Sequence, residues 1–489
     1  MVIRGPRCRA LKFLSRSELA SIHNASLEIL ESTGMHSESE LILKVFNDAG
    51  ADVDFKEKRV RIPSYLIEEG LRKSKKQFIL HGRNPKYSIL IENGRVYFGM
   101  GGTPVPYVRD WRTGEFRRPG KADVEEMARL GNALRNMSFI MNIAGAFDVP
   151  YEVEYIHEFE ALFNNTEKPI IYSAPFANCA RYVIRMASEI VGGEDNLRRK
   201  PIFSIYSETV SPLKFTLENE NMIECAKAGI PVTLGPATIL GATGPITPAG
   251  AVAVSNAEAL ASITLIQLVN PNSPVIYAAW GVVMDQKTGT ATYASPENAL
   301  TFGVLNGQLA EFYNLPCFGL GGAVDSKTPD AQAGCEATML LLVSALVGVT
   351  LIHDCGYLAS GGAGSLEMAV ICDEIVENVL NIIKGVAVND ETLAIDVIKN
   401  VGPHGHFFSQ KHTLKHLREL YTAQLFDKSK LETWVRRGRK DIGERAREAV
   451  EKILAEHKLT PLPSDVKRKI EEIVREAERE MVKSSKYVK

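Results

Sequence analysis

His353 closes the apolar run Leu351-Ile352-His353-Asp354, where an imidazole and a carboxylate follow two aliphatic side chains. An imidazole placed there can donate to, or orient, a polar part of a bound molecule. Glu208 and Asp325 end or follow other short apolar runs in the same way, and so do the aromatics Phe147, Tyr172, Trp280 and Tyr357. Cations are scarce at these places, and Lys327 is the exception. A phosphate or dicarboxylate ligand would want basic groups dedicated to it. An aromatic, mildly acidic set suits a cation instead, above all a quaternary ammonium, through attraction to the ring faces. His353 and Glu208 are therefore the candidate catalytic residues. Phe147, Tyr172, Trp280, Asp325 and Tyr357 are the candidate binding residues. The same aromatics would also serve as plain core, and a lone histidine beside apolar residues is often structural.

Other chemistry has weaker footing. His412 and His416 have i, i+4 spacing, with His404 and His406 just upstream. Two histidines four apart share a helix face, a fair metal pattern. No carboxylate or cysteine completes it nearby in sequence, so a hydrogen-bonding or interface role is expected and no metal is predicted. Lys327 is the one candidate for a Schiff-base lysine, and it lies past its strand. The seven cysteines, Cys8, Cys179, Cys225, Cys317, Cys335, Cys355 and Cys372, are widely spaced with no CxxC pair. Neither a disulfide framework nor a four-cysteine zinc knot is expected. Gly319-Leu320-Gly321-Gly322 is a poor, late match to a dinucleotide-binding loop.

The elements that must position these residues follow a rhythm. Apolar runs Val96–Gly101, Phe139–Ala144, Pro169–Ser173, Pro201–Ser207, Pro231–Gly235, Pro274–Gly281, Pro316–Gly322 and Thr350–Cys355 alternate with longer helical patterns. The helical stretches are Asp123–Asn136, Tyr151–Asn164, Ala177–Val191, Leu213–Ala228, Gly250–Val269, Glu297–Tyr313, Asp330–Val347 and Gly364 onward. Near-continuous apolar strands are those of a parallel sheet buried on both faces. Strict alternation requires crossover helices, and eight units match the ~250-residue size of a closed (β/α)8 TIM barrel. A doubly wound open sheet is the alternative. In a barrel the site lies at the C-terminal strand ends, where the residues above fall. Glycines crowd the same ends, in Gly101-Gly102, Gly235, Gly281, Gly321-Gly322 and Gly361-Gly362.

Around the barrel, residues 1–85 read as an N-terminal helical region, 86–388 as the barrel and 389–489 as a C-terminal helical extension. Asn93-Gly94, between an Ile-rich and a Val/Tyr-rich run, predicts a hairpin over Lys86–Phe98. The charged tail Ser464–Lys489 carries Ile470 and Ile473 at helical spacing and predicts an amphipathic helix on the body or on another subunit.

The 489 residues are 45% hydrophobic and 24% charged, with a formal net charge of −2. That balance gives no footing for a nucleic-acid or anionic-membrane partner. No apolar run of membrane-spanning length is read from the sequence, and Met1–Leu14 lacks the apolar core of a secretory signal. A cytoplasmic enzyme that forms a homo-oligomer is expected.

Several stretches together resemble the trimethylamine methyltransferase family. They are Gly99-Met-Gly-Gly-Thr-Pro104, Ser295-Pro-Glu-Asn298, Asp325-Ser-Lys-Thr-Pro-Asp-Ala-Gln-Ala-Gly334, Leu351-Ile-His-Asp-Cys-Gly-Tyr-Leu358, Gly364-Ser-Leu-Glu-Met368 and Gly402-Pro-His-Gly-His-Phe407. The resemblance implies a βα barrel, a methylated amine donor and a corrinoid (cob(I)alamin-type) methyl acceptor supplied by a corrinoid-binding partner protein. One branch of the family encodes pyrrolysine in its active site, and this sequence has no such position. It resembles the branch without pyrrolysine, whose substrates are quaternary amines such as glycine betaine, proline betaine and carnitine. The resemblance thus implies a quaternary amine donor, with trimethylamine or another small methylamine as the alternative. A non-catalytic quaternary-amine binding protein, or a different barrel enzyme, remain rival readings of the same residues.

Overall fold

In the computed structural model, which describes residues 2–482, eight parallel strands form one sheet. They are β1 (Tyr97–Met100), β2 (Met137–Ile140), β3 (Ile170–Ser173), β4 (Phe203–Ser207), β5 (Val232–Leu234), β6 (Val275–Ile276), β7 (Phe318–Leu320) and β8 (Leu351–Cys355). Their spatial order is β6-β5-β4-β3-β2-β1-β8-β7. The two ends of that order meet just beyond the strands. Tyr277 bridges Cys317 in parallel register, and the Phe318 N–H donates to the Tyr277 carbonyl at 2.8 Å. The sheet closes into the expected βα barrel through this bridge, so its edge is covered. The crossover helices are α1 (Lys121–Ala133), α2 (Glu154–Asn165), α3 (Ala177–Val191), α4 (Glu220–Ala228), α5 (Pro248–Val269), α6 (Asn306–Tyr313), α7 (Ala331–Val347) and α8 (Leu366–Ile383).

Side chains alternate in and out along each strand. Tyr97, Phe139, Ile171, Tyr206, Ile276, Phe318 and Leu351 point inward and pack as one cluster inside the barrel. Phe98, Ile140, Tyr172, Ile205, Val275 and Ile352 point outward and form a larger core with the helices. This parity decides which sequence candidates reach the site.

The hairpin expected over Lys86–Phe98 does not form. Its first half, Ile89–Glu92, pairs antiparallel with Gln77–Leu80, and its second half becomes β1. Both edges of β1 are taken by β2 and β8, which leaves no edge for a hairpin partner. The two-stranded piece plugs the N-terminal end of the barrel instead, adding Phe78, Leu80, Ile89 and Ile91 to the inner cluster. The run Pro274–Gly281 is also divided. Val275–Ile276 stays in the barrel, while Trp280–Met284 pairs with Ala237–Ile239 and Ala291–Thr292 in a small separate sheet.

Three N-terminal helices, Arg16–Glu28, Glu40–Asp48 and Ser64–Lys73, pack on α5. At 22 residues, α5 is long and apolar enough to cross a membrane, which the sequence reading missed. Its most apolar window is 83% buried, clasped between those helices and the barrel, so it is a core helix. At the other end of the chain, Ile442–Glu456 packs on α1 and α8. Ser464–Ala477 packs on α2 and α3 and buries Ile470, Ile473, Val474 and Ala477. The amphipathic tail thus lies on the body of its own chain. Its part beyond Val482 lies outside the described residues.

Candidate functional site

At the C-terminal strand ends a cavity of about 140 Å³ opens between β1, β4, β7 and β8. One water needs roughly 10–15 Å³, so the space is that of a small organic molecule. Four of the seven candidates line it: Glu208, Trp280, His353 and Tyr357. They are joined by Tyr206, Tyr293, Phe302 and Asp354.

His353 points inward by strand parity. Its ring stacks on Phe318 with centroids 3.8 Å apart and planes within 4°, and Trp280 lies 5.7 Å away. Its Nδ1 bonds Asp354 Oδ1 at 2.7 Å. Its Nε2 is buried and has no hydrogen-bond partner among the described residues. A buried nitrogen left open in a cavity wall is a group awaiting a ligand. With Nδ1–H bound to Asp354, Nε2 offers a lone pair in the neutral ring and an N–H in the protonated one.

Asp354 would point away from the cavity in a regular strand. The register of β8 against β1 shifts between Ile352 and Cys355, and Asp354 has φ +71°. A non-glycine residue in that left-handed region is uncommon and costly, and here it brings the carboxylate round beside His353. The turn also needs Gly102 opposite. A Cβ there would lie 2.3 Å from Asp354 Oδ1 and 2.9 Å from the Tyr357 ring. The glycine at this strand end therefore answers a close approach.

Glu208 follows β4 and shares inward parity with Tyr206, whose hydroxyl donates to Glu208 Oε2 at 2.9 Å. Its side chain is exposed through the open cavity. The loss of water around its carboxyl on the protein side raises its acid to about 7, against the opposite pull of the Tyr206 hydrogen bond. Tyr357 is fixed by its own hydroxyl, which donates to the carbonyls of Thr103 and Asn142. The Trp280 indole N–H donates to the Phe318 carbonyl at 3.2 Å. With their polar tips engaged elsewhere, Trp280 and Tyr357 keep their apolar faces for the cavity.

Three candidates do not reach the cavity. Tyr172 has outward parity on β3. It packs on Phe159 of α2 and donates to the buried Glu158 at 2.6 Å. Phe147 lies under the Arg118 guanidinium, 4.7 Å from its ring centroid, so one ring face is already occupied by a cation. Asp325 accepts from the N–H groups of Tyr293 and Ala294 and from the Ser360 hydroxyl, at 2.9, 3.2 and 2.7 Å. It holds the loop that carries Tyr293, and does not face the ligand space. Lys327 is exposed and donates to the Asp325 carbonyl.

Of the residues that sequence reasoning missed, Tyr206 was within reach, because it stands two positions before Glu208 on the same face. Tyr293 sits in a Thr-rich loop with no periodic signal. In the C-terminal extension, the fold brings to His412 and His416 a carboxylate that lies outside their neighbourhood in sequence. Glu391 is distant in sequence, yet its side chain meets His416 Nε2 at 3.1 Å and its carbonyl meets His412 Nε2 at 3.0 Å.

Comparison with known proteins covers nearly the whole chain. Residues 3–482 match the family described as trimethylamine methyltransferase (MTTB). Trimethylamine methyltransferase MttB of Desulfitobacterium hafniense (strain DSM 10664 / DCB-2) is 38% identical over 95% of this chain and 94% of its own length. Glycine betaine methyltransferase of D. hafniense (strain Y51) is 34% identical over 96% of this chain and 97% of its own. Trimethylamine methyltransferase MttB of Methanosarcina barkeri (strain Fusaro / DSM 804) is 32% identical over 96% of each.

Proposed function

This chain belongs to the trimethylamine methyltransferase family and is a methyltransferase, and we propose that it takes a methyl group from a quaternary amine resembling glycine betaine and delivers it to the Co(I) corrinoid of a separate carrier protein. One observation carries the reading: a single cavity combines the faces of Trp280, Tyr293 and Tyr357, the carboxylates of Glu208 and Asp354, and the open Nε2 of His353. A quaternary ammonium has no N–H to donate, so ring faces and negative potential are what can hold it, at roughly 0.5–2 kcal/mol per ring. The carboxylate at the other end of a betaine finds its partner in the open Nε2 of His353, which donates to it when the ring carries both protons. At about 140 Å³ the cavity admits a small amine and excludes a corrin ring. That fits an acceptor brought to the barrel mouth by another protein.

The acceptor supplies the nucleophile. The C–N bond breaks with its electron pair staying on nitrogen, and the amine leaves as a neutral tertiary amine, so no proton has to be delivered to it. The work of this chain is positioning. His353 fixes one end of the donor and the aromatic faces fix the other, turning one methyl toward the mouth. Positive charge leaves the donor in the transition state, so a fully ionised, tightly paired carboxylate would favour the ground state. Ring faces, and an acid raised to about 7 at Glu208, hold the cation more loosely.

Trimethylamine is the second reading, favoured by the name of the 38% identical relative. The absence of a pyrrolysine position and the zwitterion-shaped pairing of the cavity favour the quaternary amine. We place the reaction in a reducing cytoplasm, in a homo-oligomer, with neither nucleic acid nor membrane as partner. The test is a panel of glycine betaine, proline betaine, carnitine and trimethylamine incubated with the protein and cob(I)alamin. Methylcobalamin together with the demethylated tertiary amine is expected from at least one quaternary donor. Turnover of trimethylamine alone would move the donor to the second reading. Tight betaine binding with no methylcobalamin would overturn the catalytic proposal.

A further inference from the structure

Between Lys384 and Gln424 no residue is buried. The helices in and just after this stretch are short: Asp390–Leu393, Ile395–Val401, Lys411–His416 and Leu431–Arg436. Isolated helices below ~12–15 residues are marginal in water, and most helical stability in proteins comes from packing an apolar face. This stretch has little of either, so something other than a core must hold its shape.

One cluster spans it. His412 and His416 stand one turn apart on Lys411–His416, their ring centroids 4.4 Å apart. Both turn Nε2 toward Glu391 on Asp390–Leu393. His416 Nε2 is 3.1 Å from Glu391 Oε1, and His412 Nε2 is 3.0 Å from the Glu391 carbonyl. One ligand atom from each of the three residues lies within 4.8 Å of the others. On the far side of its ring, His416 Nδ1 meets Glu419 Oε1 at 3.0 Å.

We propose that Glu391, His412 and His416 form a binding site for a zinc-class divalent cation, which clasps the helix Asp390–Leu393 to the helix Lys411–His416. Four arguments on the geometry support it. Two imidazoles and one carboxylate are a recognised donor set for zinc, with the fourth position left to water. Tetrahedral coordination at roughly 2.0–2.2 Å puts ligand atoms about 3.3 Å apart, so the set has to close by no more than about 1.5 Å. Glu391 is exposed and both histidines are partly exposed, so side-chain rotation can supply that movement. Glu419 supplies the outer carboxylate that fixes the tautomer and orientation of a ligating histidine. Finally, a cation already sits there. The Lys415 ammonium lies 2.5 Å from Glu391 Oε1, and its side chain is 62% exposed, so it swings into solvent at little cost when the metal enters. The ligands come from segments about twenty residues apart, so metal binding is coupled to the fold of the extension.

The test uses the full-length protein stripped with a chelator and titrated with Zn²⁺. Binding is followed by calorimetry and metal content, with Co²⁺ absorbance reporting tetrahedral coordination. One equivalent per chain is expected. It should be retained in Cys335→Ser, which removes the exposed thiol, and in His404→Ala/His406→Ala. It should be weakened at least a hundredfold in His412→Ala/His416→Ala, and weakened in Glu391→Gln. Zn²⁺ should also slow tryptic cleavage between Lys384 and Lys430 in the wild type, and should not do so in the double variant. Failure of the wild-type protein to bind would overturn the proposal whatever the variants do. So would equal uptake by the wild type and a double variant of unchanged circular dichroism.

Discussion

His353 and Glu208 both line the cavity, and the roles proposed for them at the two ends of the donor separate experimentally. Replacing His353 by Gln removes the imidazole Nε2 but leaves a side chain of similar reach. A hydrogen bond to a charged group is worth about 1.5–3 kcal/mol, or roughly ten- to a hundredfold. His353→Gln should raise KM for glycine betaine by that factor. It should leave tetramethylammonium, which has no carboxylate, almost unchanged. Equal losses on both donors would remove His353 from the carboxylate end. Glu208 takes up a proton as pH falls through about 7, and the cation then loses a counter-charge. Wild-type kcat/KM should therefore decline on the acid side of pH 7. Glu208→Gln should lower kcat/KM by about tenfold, through KM, with that limb gone. Initial rates of methylcobalamin formation from about pH 5.5 to 8.5 decide it. These two residues, with Trp280 and Tyr357, were legible in the sequence because strand ends of a barrel form its mouth. Tyr172 was misplaced because the end of a strand says where a residue sits along the barrel axis. Only parity says whether it points in. Asp354 breaks parity through its positive φ, which no sequence pattern announced.

The elements explain the other departures. The Asn93-Gly94 turn is present, with Gly94 at φ +78°, but the strands beside it find better partners than each other. A local turn signal cannot see that β1 has two waiting neighbours in the barrel. The segment from Asp285 to Ser295 is likewise invisible to periodicity, though it brings Tyr293 to the cavity. Asp325 is its anchor, accepting two backbone N–H groups from it. Asp325→Ala leaves those donors and the Ser360 hydroxyl without their acceptor, which should free the loop. The expected result is a severalfold rise in KM with a smaller change in kcat. Tryptic cleavage at the exposed Lys287 should also be faster. Unchanged cleavage and KM would show that the loop is held by other contacts. Gly102→Ala tests the opposite wall. Its Cβ would strike Asp354 Oδ1 and the Tyr357 ring, so activity should fall at least tenfold even if the barrel still folds. Thermal melting alongside the rate separates local displacement from global damage.

At the scale of the molecule, the barrel was legible because eight apolar runs alternate with eight helical stretches, and that pattern has few topological solutions. The packing of the terminal regions was not, because an amphipathic helix does not name the surface it covers. Ser464–Ala477 covers α2 and α3, burying Ile470, Ile473 and Val474 between them. Arg185 pairs with Glu476, and Lys469 pairs with Glu189, across the seam. These exposed ion pairs contribute little, so the apolar contact should carry most of the attachment. Fully burying a side chain of that size is worth about 1.5–3 kcal/mol. Three of them amount to roughly 5 kcal/mol or more, a large share of the 5–15 kcal/mol that separates native from unfolded proteins. Deletion of the chain after Leu462 would also bare apolar surface on α3. The truncated protein should therefore melt at least about 5 °C lower, or aggregate, though no cavity residue is touched. Ile470→Asp in the full-length chain is the finer version, since it buries an unpaired charge at the same seam. Scanning calorimetry and light scattering on both read the outcome. A truncated protein that melts and turns over like the full chain would show that the helix is an appendage, and that the barrel is stable without it.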